Sequence, residues 1–334
     1  MTLLKKNMKA LITGSNGFVG SHLADSLLSK GYEVYCLIRK TSNLQWLKGK
    51  NVHLVEGDLF SNEILAETIK DMDYIFHVAG VVKAKNKAGF EKGNFLATKN
   101  LLELTLKFNP GIKKFIHISS GAVCGPNPDD KPMTEEYVPK PQTTYGRTKK
   151  MAEDEVIKYK DKFPVVVVRP PAVFGPRDTE IFIYFKTFAG GLNSIMGFKE
   201  KYLSLIYVED LVDGIILAAE KDTISGSIYF ICSDKEYNWN EIGSITSKLL
   251  GKKAIKIKIP HGVVYSVGAI AQFFSMFTNK AATLNLEKCF DITRTKWVFT
   301  NEKAKKELGF KEKYTLEESF GKTIDWYKEM KWLK

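Results

Sequence analysis

Short apolar runs alternate with helical patterns through the first half of the chain. Ala10–Ile12 predicts a strand, Phe18–Lys30 repeats apolar residues at helical spacing, and Glu33–Ile38 predicts a second strand. Further strands are predicted at Val52–Val55, Tyr74–Val78, Lys114–Ser119 and Val165–Val168, with helices over Phe90–Phe108 and Thr143–Tyr159. The strand runs are apolar throughout, which is typical of strands covered on both faces. This order predicts an α/β fold with a doubly wound parallel sheet.

The turn between the first strand and the first helix carries three glycines spaced three residues apart, Gly14, Gly17 and Gly20. Glycine permits a tight turn and leaves no Cβ in the way of phosphate oxygens. A helix that begins at such a turn presents unpaired N–H groups to an anion. The pattern predicts a Rossmann site, in which the pyrophosphate of a dinucleotide meets the helix. A plain structural turn is the alternative.

The regular pattern weakens after Arg169. A glycine-rich segment covers 188–197, the pattern resumes at Leu205–Val208, and a helix is predicted over Glu209–Glu220. Beyond Cys232 the sequence predicts helices without obvious partner strands. We therefore expect a dinucleotide-binding domain from residues 7–170 and 203–232, and a smaller, mainly C-terminal substrate-binding lobe from residues 171–202 and 233–334.

Charge and cysteine content narrow the class of protein. The 334 residues include 50 Lys and Arg against 38 Asp and Glu, a net charge of +12. This balance admits nucleic acid or an acidic membrane surface, but no block of five basic residues occurs, which favours an enzyme with anionic ligands and no nucleic-acid partner. The four cysteines lie far apart, which argues against a zinc site or disulfides and fits a reducing compartment. We expect a cytoplasmic protein without a signal peptide, because Met1–Asn7 leads directly into the first strand.

One uncharged run, Gly262–Phe277, is 16 residues long. It is shorter than the ~20 residues that a membrane-spanning helix needs. The favoured interpretation is a buried helix, and the alternative is a helix that lies on a membrane surface.

Tyr145 and Lys149 stand four residues apart at the start of a predicted helix, so their side chains lie on one face. A nearby ammonium favours the phenolate, so we expect a lowered tyrosine pKa and proton exchange near neutral pH. Ser119 and Ser120 end the preceding strand, at the sheet edge where open α/β folds bind ligands. A hydroxyl there can hold a substrate oxygen, and helix capping or turn formation is the alternative.

The end of the second strand bears on the choice of cofactor. A site that selects NAD places a carboxylate there for the ribose 2′-OH. Here Arg39 and Lys40 follow Ile38. A guanidinium suits a 2′-phosphate through forked, charge-assisted hydrogen bonds, which favours NADP(H), with NAD as the alternative.

The chain resembles the extended short-chain dehydrogenases/reductases of the NAD-dependent epimerase/dehydratase family over nearly its whole length. The matching motifs are Thr13-Gly14-x-x-Gly17-Phe18-x-Gly20, Gly57-Asp58-Leu59, His77-Val78-Ala79-Gly80, Ser119-Ser120, Tyr145-x-x-x-Lys149, Arg169–Pro176, Tyr207-Val208-Glu209-Asp210 and Ala304–Phe310. Many relatives have tyrosine where this chain has Cys124. The resemblance also implies a homodimer formed through the helices Phe90–Phe108 and Thr143–Tyr159.

The resemblance implies a role for each matching residue. Tyr145 would be the general acid/base, Lys149 would bind the nicotinamide ribose and tune the tyrosine, and Ser120, ahead of Ser119, would orient the substrate. The implied cofactor-binding residues are Gly14, Asn16, Gly17, Phe18, Val19, Gly20, Arg39, Asp58, Leu59, Ala79, Gly80, Lys149, Pro170 and Val173. Of these, Asp58 and Leu59 would border the adenine, Ala79 and Gly80 the ribose and pyrophosphate, and Pro170 and Val173 the nicotinamide. No metal is implied.

Three functions fit the sequence. The favoured one resembles the branch of 3β-hydroxysteroid dehydrogenases and dihydroflavonol reductases, and reduces or oxidises a small apolar substrate. Phe182, Phe185, Phe188 and the run at 262–277 would wall this substrate, unless they pack the lobe. The second is a nucleotide-sugar epimerase or dehydratase with tightly bound NAD, whose diphosphate Arg177 and lysines near Lys199 would hold. The third is a non-catalytic protein that senses dinucleotide.

Overall fold

Parallel strands form the centre of the structure, a computed structural model that describes residues 7–278, 282 and 284–333. The described strands are β1 (Lys9–Thr13), β2 (Glu33–Ile38), β3 (His53–Glu56), β4 (Tyr74–His77), β5 (Lys114–Ile118), β6 (Val165–Arg169), β7 (Ala172–Phe174), β8 (Leu192–Met196), β9 (Tyr202–Leu203), β10 (Leu205–Tyr207), β11 (Ser227–Phe230), β12 (Tyr237–Asn238), β13 (Ile255–Ile259) and β14 (Lys296–Trp297). Seven of them form one sheet in the order β11-β6-β5-β4-β1-β2-β3. The strand order reverses between β1 and β4, the point at which open α/β sheets bind ligands. The predicted doubly wound parallel sheet is confirmed.

Helices cover both faces of this sheet. The described helices are α1 (Phe18–Ser29), α2 (Asn62–Ile69), α3 (Lys87–Phe90), α4 (Ala97–Phe108), α5 (Thr144–Ile157), α6 (Phe182–Ala189), α7 (Val208–Glu220), α8 (Trp239–Leu250), α9 (His261–Met276), α10 (Leu286–Thr293), α11 (Glu302–Leu308) and α12 (Leu316–Glu329). Successive residues of β1 point to opposite faces: Ile12 packs with α1 and α7, and Leu11 packs with α2, α4 and α5. This double burial explains the continuous apolar runs.

The predicted long helix at Phe90–Phe108 is interrupted in its hydrogen bonding. Between α3 and α4 the segment Glu91–Leu96 is a π-helix, which widens the turn and brings Asn94 into a buried position. Such segments are frequent at functional sites. The predicted strand at 205–208 is observed as β10, but it pairs with β7 outside the main sheet, and the unpredicted β11 completes that sheet beside β6.

The expectation that no partner strands follow Cys232 is wrong. β13 pairs with β8 in parallel, and β12 and β14 flank β9. β12 and β14 are two residues long, too short for an alternation of apolar and polar residues to be recognised in the sequence. The division into residues 7–170 with 203–232 and 171–202 with 233–334 stays a prediction.

Helix α9, at the run expected to be buried, is mostly exposed. It touches α10 through a narrow stripe: Val264 and Gly268 are buried, and a Cβ at Gly268 would overlap the Cys289 sulfur. The other large apolar side chains face outward, with Val267 50 % and Phe277 73 % exposed. The expected burial is wrong because one helix covers only one side of α9. No helix within the described residues is both long and apolar enough to cross a bilayer.

The four cysteines are all buried and unpaired. Burial raises the pKa of Cys36 and of Cys124 to about 11, and it also raises the pKa of Cys232 and Cys289. Among the described residues, no group of His, Cys, Asp and Glu side chains is arranged to hold a metal ion.

Candidate active site

The glycine-rich turn between β1 and α1 is packed closely against the protein's own backbone, so side chains larger than glycine do not fit there. Gly14 has φ +73°, and a Cβ there would lie 2.8 Å from the Ala79 backbone. A Cβ at Gly20 would overlap the Gly14 carbonyl oxygen. Gly17 is the N-cap of α1 and offers no side-chain hydrogen bond to the first turn, so the helix N–H groups stay available to an anion. These three positions fit the pyrophosphate of a dinucleotide.

The loop after β4 closes one side of this turn. The Thr13 hydroxyl accepts a hydrogen bond from the Ala79 backbone N–H at 3.2 Å and lies 2.7 Å from Nδ1 of His77. A Cβ placed at the next residue, Gly80, would lie 3.7 Å from Nζ of Lys149. The structure therefore places Ala79 beside the glycine turn and Gly80 beside Lys149.

Tyr145 and Ser120 meet at the carboxyl edge of the sheet. Tyr145 is in the first turn of α5, which Thr143 caps by accepting from the Gly146 N–H at 3.2 Å. Ser120 follows β5, and its hydroxyl lies near the Tyr145 phenol. Burial raises the pKa of Tyr145 and nearby Asp291 adds to it, while the polar Ser120 side chain opposes them. The expected lowering of this pKa is wrong, because loss of hydration outweighs the other contributions.

Lys149 lies one turn further along α5 and is buried. Its Nζ donates a hydrogen bond to the Ile118 carbonyl at 2.6 Å, which holds the ammonium at the end of β5. Burial lowers the pKa of Lys149 to about 8, and Glu153 opposes this shift. His77 and His117 lie buried near it, and burial lowers the pKa of His77 to about 3, so both rings are neutral near pH 7.

The two candidate serines have different partners. The buried Ser119 hydroxyl donates to Oε2 of Glu153 at 2.8 Å. Glu153 in turn pairs with Arg169, whose Nη2 lies 2.6 Å from Oε1. Ser119 is thus committed to the core. The Ser120 hydroxyl lies near Tyr145, but it also caps the next turn by accepting from the Ala122 N–H at 3.2 Å, which is the alternative role expected from the sequence. This geometry agrees with the preference for Ser120.

The loops after β2 and β3 lie at the same sheet edge as the glycine turn, because β1, β2 and β3 are parallel neighbours. The Arg39 side chain is exposed and forms no ion pair with a described carboxylate. Asp58 accepts hydrogen bonds at Oδ1 from the Phe60 N–H (2.8 Å) and the Ser61 hydroxyl (3.1 Å). The Leu59 carbonyl accepts from Asn100 at 2.8 Å, and the Asn16 amide reaches the Asn43 carbonyl at 3.5 Å.

Pro170 and Val173 are held against the other predicted residues. The Pro170 carbonyl accepts a hydrogen bond from the Gly121 N–H at 2.8 Å, which ties it to the residue after Ser120. Val173 belongs to β7 and packs in the same apolar cluster as Phe18 and Val19, the first residues of α1. These contacts hold Pro170 and Val173 near Ser120 and the start of α1, and the binding role of the whole set stays a prediction.

Sequence reasoning missed Asn94 and helix α10. Asn94, in the π-helix, accepts from the Val81 N–H at 2.7 Å and donates to Thr148 at 3.0 Å, so it fixes the loop after β4 to α5. In α10, the Glu287 carboxylate accepts from the Thr144 N–H at 2.9 Å and from its hydroxyl at 2.8 Å, next to Tyr145. No short motif marks Asn94, and α10 is far away in sequence.

Three residue assignments change with the structure. Phe185 is buried in an apolar cluster and meets Phe320 edge to face, with 4.9 Å between ring centroids; Phe182 packs against this cluster and Phe188 is buried. Packing therefore explains these three residues better than a substrate wall. Arg177 pairs with Asp25 at 2.8 Å and is not free to hold a diphosphate. Cys124 is fully buried beside Arg169, away from the cleft.

Comparison with known proteins identifies the family. The family model described as the NAD dependent epimerase/dehydratase family matches residues 10–232. The chain belongs to this family. It is accordingly an enzyme of an NAD-dependent family, and the sequence-based resemblance is confirmed.

Over most of its length the chain is similar to two proteins whose names refer to a ceramide and to a sterol. It is 27 % identical to the ceramide reductase of Caulobacter vibrioides, over 96 % of this chain and 95 % of that protein. It is 28 % identical to the human decarboxylating sterol-4-alpha-carboxylate 3-dehydrogenase, over 98 % of this chain and 90 % of that protein. Its fold is that of the UDP-glucuronic acid 4-epimerase of Bacillus cereus in complex with NAD, with TM-score 0.77, 24 % identity, and coverage of 97 % and 99 %.

Proposed function

We propose that this enzyme is an NADP(H)-dependent oxidoreductase that interconverts a carbonyl and a secondary alcohol on a small, apolar substrate. The observation that carries the proposal is the proximity of the Ser120 hydroxyl to the Tyr145 phenol, one helical turn from the buried ammonium of Lys149. These three groups are what proton transfer to a substrate oxygen requires: a donor of hydrogen bonds, an acid and a fixed cation.

Each residue has a defined task in the reducing direction. The nicotinamide, when bound, supplies a hydride to the carbonyl carbon. The Ser120 hydroxyl donates a hydrogen bond to the carbonyl oxygen and holds it beside Tyr145. Tyr145 then gives its phenolic proton to that oxygen, and the product is the alcohol. Lys149 binds the ribose hydroxyls and stabilises the phenolate that proton transfer leaves behind.

The raised pKa of Tyr145 suits the role of acid. At neutral pH the phenol is protonated, so it can donate without first taking up a proton. The positive charge of Lys149 acts on the developing phenolate in a buried site, where such a charge is worth more than it is in water.

Arg39 supports the choice of NADP(H). Its exposed guanidinium has no described ion-pair partner and follows β2, where the ribose 2′ position lies in dinucleotide folds. A 2′-phosphate would accept two parallel hydrogen bonds from it. The family is NAD-dependent, so this preference for the phosphorylated cofactor is a proposal about one residue.

The apolar substrate class rests on two observations. Arg177, the group that would hold a sugar-nucleotide diphosphate, is already paired with Asp25. Two relatives that match over most of the chain are named for ceramide and for a sterol carboxylate. The homodimer through α4 and α5 and the cytoplasmic location stay predictions.

The test is turnover by a Tyr145→Phe variant. Phenylalanine keeps the ring but removes the acid, so NADPH oxidation with ceramide-type ketones or 3-ketosteroids should fall by about 10²- to 10⁴-fold. Tyr32→Phe is the matched control. The Tyr32 hydroxyl donates a hydrogen bond to Glu220, and Tyr32 directly precedes β2 at the amino edge of the sheet, so this variant should leave turnover unchanged. Undiminished turnover by Tyr145→Phe would refute the mechanism.

Native mass spectrometry of the purified enzyme separates the remaining alternatives. Uptake of added NADPH by an empty site supports a dissociable reductase. NAD that is retained through purification, with interconversion of sugar nucleotides, would instead identify an epimerase or dehydratase. Binding of dinucleotide without turnover of any carbonyl or sugar nucleotide would identify a sensor.

A further inference from the structure

Helix α9 presents a continuous apolar surface to solvent. Val263, Val267, Ile270, Phe274 and Phe277 follow one another at spacings of four and three residues, so they form one stripe along the helix. Phe273 widens the stripe and contacts the rings of Phe274 and Phe277 at 5.8 and 5.2 Å. We call these six residues the α9 face. Each of them is at least half exposed, between 50 % and 73 %.

Positive charge lies directly before this surface in the chain. Between Glu241 and Glu287 the sequence contains no Asp or Glu. The lysines just before α9 are Lys252, Lys253, Lys256 and Lys258, which we call the basic segment. All four are exposed, and none forms an ion pair with a described carboxylate. Lys256 and Lys258 alternate with the exposed Ile255 and Ile257 in β13, and Pro260 connects β13 to α9.

We propose that the α9 face and the basic segment bind the surface of an anionic phospholipid bilayer. The helix would lie in the plane of the interface with its aromatic residues among the acyl chains. The lysines would reach the lipid phosphates with their long side chains. The α9 helix contains no Asp, Glu, Lys or Arg, so no such charge on it opposes insertion to the depth of the headgroups.

Charge favours a bilayer over a second copy of this chain. A twofold dimer places the same surface of both subunits together. Two copies joined through the α9 face would bring two basic segments close together without any carboxylate from residues 242–286 to neutralise them. An anionic bilayer neutralises the lysines and covers the apolar stripe at the same time.

Docking would orient the catalytic cleft relative to the bilayer. Helix α9 packs on α10 through Gly268 and Cys289, and Glu287 of α10 bonds to Thr144 beside Tyr145. The membrane-facing helix is therefore one helix away from the catalytic residue. The docking itself does not depend on the proposed reaction, because it requires only the surface.

The test is flotation of the full-length protein with vesicles of phosphatidylcholine alone or mixed with phosphatidylglycerol. The wild type should float with the mixed vesicles and much less with phosphatidylcholine, and added salt should weaken the binding. A Phe273→Ser/Phe274→Ser/Phe277→Ser variant should lose binding to the mixed vesicles. A variant with the basic segment changed to glutamine should lose about fivefold in partition coefficient for each lysine removed.

Control variants test whether binding depends on the α9 face and the basic segment, or on the total number of exposed apolar and basic side chains. Val138→Ser/Ile224→Ser removes two exposed apolar side chains elsewhere, and glutamine at Lys30, Lys131, Lys140 and Lys311 removes the same charge elsewhere. Both controls should float like the wild type. Because all substituted side chains are exposed, urea unfolding should show wild-type stability for every variant.

Insertion can be measured directly. A Phe274→Trp variant should lose more fluorescence than the wild type when brominated lipid is added to mixed vesicles, and an Ile224→Trp variant should not. Failure of the wild type to float with mixed vesicles would overturn the proposal, as would equal binding by the α9 and control variants. A dimer that dissociates only in the α9 variants, with no vesicle binding, would assign the face to a second copy.

Discussion

Replacing Glu153 by glutamine is expected to lower the free energy of unfolding by about 3–5 kcal/mol. Glu153 accepts three hydrogen bonds from Arg169 and one from Ser119, and both charged side chains are 2 % exposed. Glutamine keeps the volume and an acceptor oxygen, but it removes the charge that neutralises the guanidinium. The penalty is large because the arginine stays charged in a place that water cannot reach.

Urea unfolding followed by tryptophan fluorescence measures this penalty. The double variant Glu153→Leu/Arg169→Met removes both charges, so it should be more stable than Glu153→Gln although it has lost more hydrogen bonds. Glu136→Gln is the control, since Glu136 is exposed and should change stability by no more than about 0.5 kcal/mol.

A Glu153→Gln variant as stable as the Glu136→Gln control would refute the assigned role of the carboxylate. A double variant less stable than Glu153→Gln would do the same, because the loss would then come from packing. The single variant also has a functional readout. Glu153 holds the pKa of Lys149 up, so glutamine should move that pKa further below about 8 and shift the pH profile of cofactor binding to lower pH.

Three further outcomes are expected. Arg39→Glu should weaken NADPH binding far more than NADH binding in fluorescence titrations, and equal losses would reject the 2′-phosphate assignment. Asp291→Asn should lower the pKa of Tyr145, because a negative charge no longer opposes the phenolate. The alkaline fall in reductase activity should then begin at lower pH, and an unchanged pH profile would contradict this. Gly20→Ala should reduce both NADPH affinity and thermal stability, because its Cβ overlaps a backbone oxygen, whereas Gly262→Ala, which meets open space, should leave both at wild-type values.

The sheet could be predicted because its strands are buried on both faces. A run such as Val165–Val168 consists of apolar residues alone, which indicates a buried strand, and glycines mark the turns around β1 and α1. The cleft could be predicted for the same reason: once the strands are known to be parallel, residues that end them must meet at one edge. The positions of Gly14, Gly80 and Ser120 at this edge follow from that rule, whereas their binding roles stay predictions.

The remainder depends on contacts between distant parts of the chain. Glu287 lies 143 residues after Thr144, and nothing local to α10 indicates that it bonds to α5. The exposure of α9 was missed because apolar composition predicts burial, but only packing decides which face finds a partner. The alternation of Ile and Lys over Ile255–Ile259 has the period of a strand, so β13 was predictable from the sequence.

The buried thiols make the native protein nearly inert to alkylating reagents. Cys36, Cys124, Cys232 and Cys289 lie in four different parts of the chain, and each has a raised pKa that keeps the reactive thiolate scarce. A maleimide added to the folded enzyme would therefore react first at any cysteine engineered onto its exterior, without removal of the natural ones. The rate at which each natural cysteine is labelled would then measure how often the structure around that cysteine opens.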